Sequence, residues 1–221
     1  RREASGDAVV GRKIGFTNHR LWDEYGVRAP IWGFVYASTL ADVSAPLRLD
    51  GFAEAKIEPE IMFGIKTTPT PEMNERALVD CIAWVAHGFE IVQSIYPGWI
   101  FNAVDTVIAN ALHGALIVGR RHPLASEPDM WLAALEGFEI ELYRDNVLVD
   151  SGHATNVLGG PLNALRHLVQ LLAEDDANPP LAPGEIISTG TLTRAFPAAP
   201  NETWTTRLKG IPLAGAHLRL T

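Results

Sequence analysis

Two glutamates separated by one residue, Glu58 and Glu60 in Ile57-Glu58-Pro59-Glu60-Ile61, have the spacing in this 221-residue chain that points most directly to chemistry. Successive side chains on a strand alternate between faces, so these two carboxylates project to the same side and repel each other. That repulsion is costly unless protons or a cation intervene. A hard ion such as Mg2+ or Mn2+ takes oxygen ligands and keeps positions for water or substrate. A third carboxylate would complete such a site, and Glu90 in Phe89-Glu90-Ile91-Val92 is the candidate. The competing reading is a solvated strand face. Glu139 and Glu141 have the same spacing beside a hairpin turn with polar neighbours, where a solvated face explains them fully.

Lys13 lies in Gly11-Arg12-Lys13-Ile14-Gly15-Phe16-Thr17. The glycines allow close backbone approach, and apolar neighbours that buried the ammonium would depress its pKa and fit it for acid-base work. A surface lysine on a glycine-rich turn is the alternative. The segment lacks the three-glycine dinucleotide pattern. His113 and His87 fall at the ends of predicted helices, where an imidazole can serve the helix terminus as readily as catalysis. Thr189-Gly190-Thr191 combines hydroxyls with a glycine that can turn backbone N–H groups toward a carboxylate, although a plain turn has the same composition. A Gly-x-Ser-x-Gly nucleophile turn and the cysteine and histidine spacings of a zinc site are both missing, so carboxylate-bound metal is the chemistry left.

The elements that must position these groups are mixed. The first fifty residues, broken by Gly, Pro and Trp, read as short strands and loops. Residues 56–65 read as a strand, and Pro59 makes it an edge or irregular one. Thr70-Pro71-Glu72 resembles a helix start, with Leu78, Cys81, Ile82 and Val85 following at helical spacing. Residues 89–92 and 114–118 are predicted strands and 104–112 a helix. Phe138 to Asp150 alternates, turns at Asp145-Asn146 and returns as a hairpin. Leu162, Leu165, Leu168, Val169 and Leu172 form one helical face, a proline-rich loop follows over 178–184, and short strands complete the chain.

With 47% hydrophobic and 20% charged residues, the chain can bury a full core, and residues 1–221 are expected to form one catalytic domain. A formal charge of −8 with scattered cations argues against a nucleic-acid partner. Cys81, the lone cysteine, excludes an intrachain disulfide and reads as a buried thiol. No apolar run approaches the roughly 20 residues of a membrane span, and Arg1-Arg2-Glu3-Ala4 lacks a signal's apolar core, so a soluble cytoplasmic protein with no membrane partner is expected.

Taken together, residues 11–18, 57–61 and 89–92 resemble the hydratase/decarboxylase family of aromatic meta-cleavage pathways, within the fumarylacetoacetate hydrolase superfamily. The similarity continues through Trp99, Asp105-Thr106-Val107, Leu112-His113-Gly114-Ala115 and Ser188 to Thr193. The resemblance implies a mixed α/β fold, a rolled β-sheet core with peripheral helices and the metal in the mouth of the roll. It implies Glu58, Glu60 and Glu90 as Mg2+ or Mn2+ ligands, Lys13 and His113 as catalytic groups, and Thr17, Gln93, Trp99, Thr189, Gly190 and Thr191 as substrate contacts. Family members begin with a helical segment ahead of the motif around Lys13, so an N-terminal piece is expected to be missing. Hydratases typically carry Asp where Gln93 stands and small hydroxyl residues where Leu112-His113 stands, and the pattern here is closer to the 4-oxalocrotonate decarboxylases. The alternatives are a 2-hydroxypenta-2,4-dienoate hydratase and a catalytically silent partner of one. The implied partners are a small 2-oxo acid and either a hydratase homologue or further copies of the chain.

Overall fold

The computed structural model describes residues 6–19 and 22–221, so the opening four residues read above lie outside the described ones. In chain order the elements are β1 (Val9–Gly15), α1 (Trp22–Tyr25), β2 (Ile31–Tyr36), β3 (Leu40–Asp42), β4 (Lys56–Ile65), α2 (Glu75–Asp80) and β5 (Ile82–Val92). They continue with α3 (Ala103–Ile108), β6 (His113–Val118), β7 (His122–Pro123), α4 (Pro128–Gly137), β8 (Glu139–Arg144) and β9 (Val147–His153). The last are α5 (Pro161–Ala173), β10 (Ile186–Thr191), β11 (Phe196–Pro197), β12 (Thr203–Lys209) and β13 (His217–Arg219). One sheet runs β2-β1-β10-β4-β5-β6-β3, with β11 pairing β4 and β7 pairing β5, and a second runs β13-β12-β8-β9. Among the described residues no helix is long and apolar enough to cross a membrane.

The larger sheet curls on itself. In a flat sheet β2 and β6 would lie five strand spacings apart, about 24 Å. Here the Asn110 side chain, in the turn ahead of β6, accepts from Phe34 N at 2.8 Å and donates to Phe34 O at 2.9 Å. Through this amide the turn ahead of β6 pairs with β2 as a neighbouring strand would, and the Lys13 contact with Ala111 O adds to the closure.

Strand alternation then sorts side chains into three environments. On the outer face Ile14, Ile61, Phe63, Val85 and Ile187 pack under α2, α4 and α5, whose Leu78, Trp131, Leu135, Leu165 and Leu168 complete the main core. Each such side chain contributes about 1.5–3 kcal/mol by leaving water. Farther along the same face Ile57, Phe89, Ile91 and Ile117 meet Leu142, Trp204 and Leu218 of the second sheet. Inside the roll Val35, Met62, Ala86, Leu116 and Ile186 fill one end. The inward positions next along β4 and β5 are Glu60, Glu58 and Glu90, so the same alternation that fills the inner end makes the other end acidic.

Two expectations are corrected and a third is met in its second form. The β4 strand lies in the middle of the sheet, between β10 and β5, and its pairing with β10 is irregular beside Pro59. Pro59 O accepts from Leu192 N, so the proline nitrogen also faces the β10 side, where the ladder is interrupted between Ser188 and Thr191 and needs no donor. The helix after residue 70 is capped by Asn74, which accepts from Ala77 N at 3.0 Å, and it ends at Asp80; Ile82 and Val85 belong to β5. The region 104–112 is helical only to Ile108, because Asn110, Ala111 and Leu112 all adopt positive φ. The hairpin at Asp145-Asn146, the helix over 161–173 and the buried Cys81 are as expected.

Candidate metal centre and active-site cavity

Glu58 and Glu90 are direct cross-strand partners in β4 and β5, and Glu60 is two residues along on the same face. Like charges directly opposite each other destabilise a sheet, yet one oxygen from each of the three lies within 4.8 Å of the others. Glu60 and Glu90 are held from behind. Ser188 Oγ and Gly190 N, the latter at 2.9 Å, both donate to Glu60 Oε2. His113 Nδ1 donates to Glu90 Oε1 at 2.8 Å, and its Nε2 meets Thr39 Oγ1 at 2.9 Å. Lys13 Nζ stands 3.2 Å from Glu90 Oε2 and donates to Ala111 O at 3.1 Å.

Buried acceptors normally find donors. Glu60 Oε1 is buried and accepts no hydrogen bond from the described residues, and Glu90 Oε2 is met only by the Lys13 ammonium. Without a cation the cluster relieves its repulsion by holding protons. Burial, with Glu90 adding to it against the pull of Lys13, raises Glu58 to about 7. Burial and both neighbouring carboxylates raise Glu60 well above the usual range. Glu90 goes the other way, because Lys13 and His113 outweigh the burial that would raise it. Three clustered carboxylates, one with an orphaned oxygen, fit a hard divalent cation.

Lys13 is buried on β1 and not on a surface turn. The expected depression of its pKa is reversed here: burial pushes it down, but Glu90, Glu58 and Glu60 together hold it above the ordinary lysine value. The Ala111 carbonyl that it meets lies in the run of left-handed residues 110–112. Such conformations cost on the order of 1–3 kcal/mol each and collect at functional sites.

Glu58 and Lys13 line a cavity of about 250 Å3, with Thr17, Thr191, Leu112, Trp99 and Phe101 among its walls. That is near the lower end of the roughly 300–1,000 Å3 range of ligand pockets and suits a small acid. The Trp99 indole N–H donates to Glu54 O at 3.0 Å, and the Glu54 carboxylate accepts from Gly98 N, so this wall is tied down. Lys56 Nζ sits 3.9 Å over the Trp99 ring.

The remaining sequence candidates separate. Gly190 (φ +104) is required where it stands, since a Cβ there would lie 2.0 Å from Thr17 Oγ1. Thr189 turns away and donates to Ile61 O. Gln93 does not line the cavity; its Oε1 accepts from Ala53 N, and it borders a separate depression beside Phe52 and Gly114. His113 opens β6 and ends no α-helix; it stands behind Glu90 as a positioning residue. His87 is not a helix cap but a buried residue of β5, its Nδ1 on Glu60 O and its Nε2 on Thr206 of the second sheet. The Glu139-Glu141 pair stays outside the site, with Glu141 bound by Lys209 and Tyr143. Sequence reasoning missed Ser188, Thr39, Lys56 and Arg194, and for Ser188 no spacing rule could reach across the 128 residues to Glu60.

No protein-family model matches the chain. A 2-keto-4-pentenoate hydratase of Paraburkholderia phymatum is 30% identical over 211 residues, covering 95% of this chain and 78% of that protein. The chain belongs to that family. A 4-oxalocrotonate decarboxylase of Pseudomonas sp. strain CF600 is 29% identical over 212 residues, 96% of this chain and 78% of that protein, so the family spans both activities. The solved structure of 4-oxalocrotonate decarboxylase from Pseudomonas putida G7, complexed with magnesium and adipate, superposes with a TM-score of 0.89 at 27% identity, covering 100% of this chain and 81% of that one. Fumarylpyruvate hydrolase from Pseudomonas aeruginosa, in complex with Mn2+ and pyruvate, gives a TM-score of 0.70 at 13% identity over 95% of this chain and 88% of its own, which shows the shared fold of the fumarylacetoacetate hydrolase superfamily.

Proposed function

We propose that this chain is a divalent-metal-dependent lyase that releases carbon dioxide from a 2-oxo dicarboxylate of the 4-oxalocrotonate kind, giving 2-hydroxypenta-2,4-dienoate. The observation that carries the reading is the facing carboxylate set, with the orphaned Glu60 Oε1, beside Lys13 in a small cavity with aromatic walls. Glu58, Glu60 and Glu90 would hold Mg2+ or Mn2+, as the magnesium complex of the decarboxylase relative supports. When bound, such an ion supplies Lewis-acid neutralisation of charge at the substrate's 2-oxo carboxylate end.

This chain's own residues do the rest. The bond to the distal carboxyl carbon breaks, carbon dioxide leaves, and the electron pair enters the conjugated 2-oxo system. Lys13, held as an ammonium, donates a proton from Nζ to the resulting dienolate oxygen. Trp99 and Phe101 exclude water from the departing carboxylate. The choice of decarboxylation over hydration is supported by the apolar wall at Leu112.

A second reading, hydration of the dienol by the same site, is favoured by the hydratase relatives at 30% identity. The deciding experiment is turnover of 4-oxalocrotonate and of 2-hydroxypentadienoate with Mg2+, with chelator, and with Glu60→Ala. Carbon dioxide release that needs the metal and Glu60 is expected. Water addition without carbon dioxide release assigns the hydratase, and metal binding without turnover assigns the silent partner. An assembly with a hydratase homologue or with further copies of the chain belongs to the same proposal, and the mass of the native complex reads it out.

A further inference from the structure

Asn110, Ala111 and Leu112 adopt positive φ of 55°, 53° and 62° in succession. None is a glycine, and such a run persists only where the surrounding structure over-determines it. The contacts that do so flank Ala111. On one side the Asn110 amide brackets Phe34 of β2, accepting from its N–H and donating to its C=O. Gly33, directly opposite Lys13 in the register of β1 with β2, makes room for the turn, because a Cβ there would lie 2.5 Å from Asn110 O. On the other side Leu112 O accepts from Gln93 N at 2.9 Å, just past the end of β5. The turn is held between β2 and β5, and the Ala111 carbonyl at its centre meets Lys13 Nζ at 3.1 Å.

An ammonium carries three N–H donors. With Glu90 Oε2 as its only neighbour the Lys13 ammonium could still rotate about that one contact. A second contact, to Ala111 O, removes the rotation and fixes where the third N–H points. That third N–H is left for the cavity, which Lys13 lines beside Gly15; a Cβ at Gly15 would lie 3.6 Å from Nζ, so the absence of a side chain there keeps the approach to the ammonium open. We propose that Asn110 is a positioning residue for Lys13: by holding the turn in its left-handed form it keeps Ala111 O on the ammonium and directs the third N–H to the cavity. The identity of the residue fits the task, since asparagine can both bracket a peptide and occupy the left-handed region. The inference rests on the proposed acid role of Lys13, whereas the positioning itself can be observed without turnover.

The test compares Asn110→Gly, which loses the amide but suits a left-handed backbone, with Asn110→Asp, which keeps the acceptor for Phe34 N–H. In Asn110→Gly, kcat is expected to fall about 10–100-fold while KM and Mn2+ affinity change less than about threefold, with Asn110→Asp in between. The second readout is the Lys13 ammonium signal in the NMR spectrum of protein carrying isotope-labelled lysine nitrogen, identified by its loss in Lys13→Met. That signal should shift in Asn110→Gly and exchange with water at least about tenfold faster, as an N–H released from its acceptor does. An Asn110→Gly variant with wild-type kcat, or with an unchanged Lys13 signal, overturns the assignment. So does a fall in kcat matched by an equal fall in Mn2+ affinity, which marks general damage to the site. If the wild type turns over neither 4-oxalocrotonate nor 2-hydroxypentadienoate, the proposed function fails, and the Lys13 signal alone decides the positioning: moved in Asn110→Gly it stands, unmoved it falls.

Discussion

Metal uptake by this site should be coupled to proton release, and the size of the effect follows from the cluster. Burial and the neighbouring carboxylate hold Glu58 at about 7. At pH 6 that carboxyl is protonated roughly ten to one, and at pH 8 the ratio is reversed. A cation must displace that proton, so affinity should fall about tenfold, or about 1.4 kcal/mol, for each pH unit below 7 from Glu58 alone. Glu60, raised further, steepens the dependence, whereas Glu90 is already ionised and adds nothing. The assay is Mn2+ titration at pH 6, 7 and 8 in two buffers of different ionisation enthalpy, which counts the protons released. Between about one and two protons are expected at pH 6, and Glu58→Gln should release one fewer. Equal affinity at pH 6 and pH 8, with heats independent of buffer, would refute the carboxylate-cluster reasoning. The same shift acts on the metal-free fold. A raised carboxyl stabilises the protein below the unfolded value and loses that contribution as pH rises through about 7, which for Glu58 amounts to about 3 kcal/mol.

Ser188→Ala removes a donor to Glu60 Oε2 and should weaken Mn2+ binding on the order of 10–100-fold with little change in melting temperature, measured by titration and calorimetry. Burial lowers His87 to about 4, so its contribution is complete above the unfolded value of 6.5 and is lost as pH falls through 4; acid unfolding of wild type against His87→Gln should show a shallower loss in the variant. Gly190→Ala drives a Cβ into Thr17 at a left-handed backbone position, and crude extracts should contain little folded protein, or protein with metal affinity reduced at least tenfold, by Mn2+ binding.

How far the sequence foretold this arrangement depends on how local each interaction is. The carboxylates of β4 could be placed on one face because alternation is a property of neighbouring residues, and the hairpin at Asp145-Asn146 and the apolar stripe of α5 were legible for the same reason. Pro59 left an edge and an irregular strand both open, because a proline's tolerance depends on whether its missing N–H faces a continuous ladder, and the interruption that decides it lies in β10. His87 resembled a helix cap because Leu78, Cys81, Ile82 and Val85 happen to fit a helical period across what is in fact a short helix and a strand. Trp99 could be nominated from the sequence by resemblance alone, and Lys13 could be nominated from its own segment but its pairing with Glu90 could not, because that contact depends on strands far apart in the chain.

Lys13, Ser188, Glu60 with Glu58, Glu90 and His113 come from five strands that are consecutive in space, β1, β10, β4, β5 and β6, and are scattered along the chain. Because each strand contributes through an inward position, a one-residue slip in any pairing would replace its polar group with a core residue. The register that fills the inner end of the roll with Met62, Ala86 and Leu116 is therefore the register that assembles the site, so selection for packing and for chemistry act on the same pairing. The site also explains why the expectation of a depressed lysine was reversed without being unsound. Burial is the largest influence on Lys13, and only the three carboxylates overcome it. A cation that takes up their charge removes that support and lets burial pull the ammonium down toward the range where it can exchange a proton. In the proposed mechanism metal binding and the acid-base readiness of Lys13 are therefore coupled, because the lysine pairs with Glu90, one of the proposed ligands.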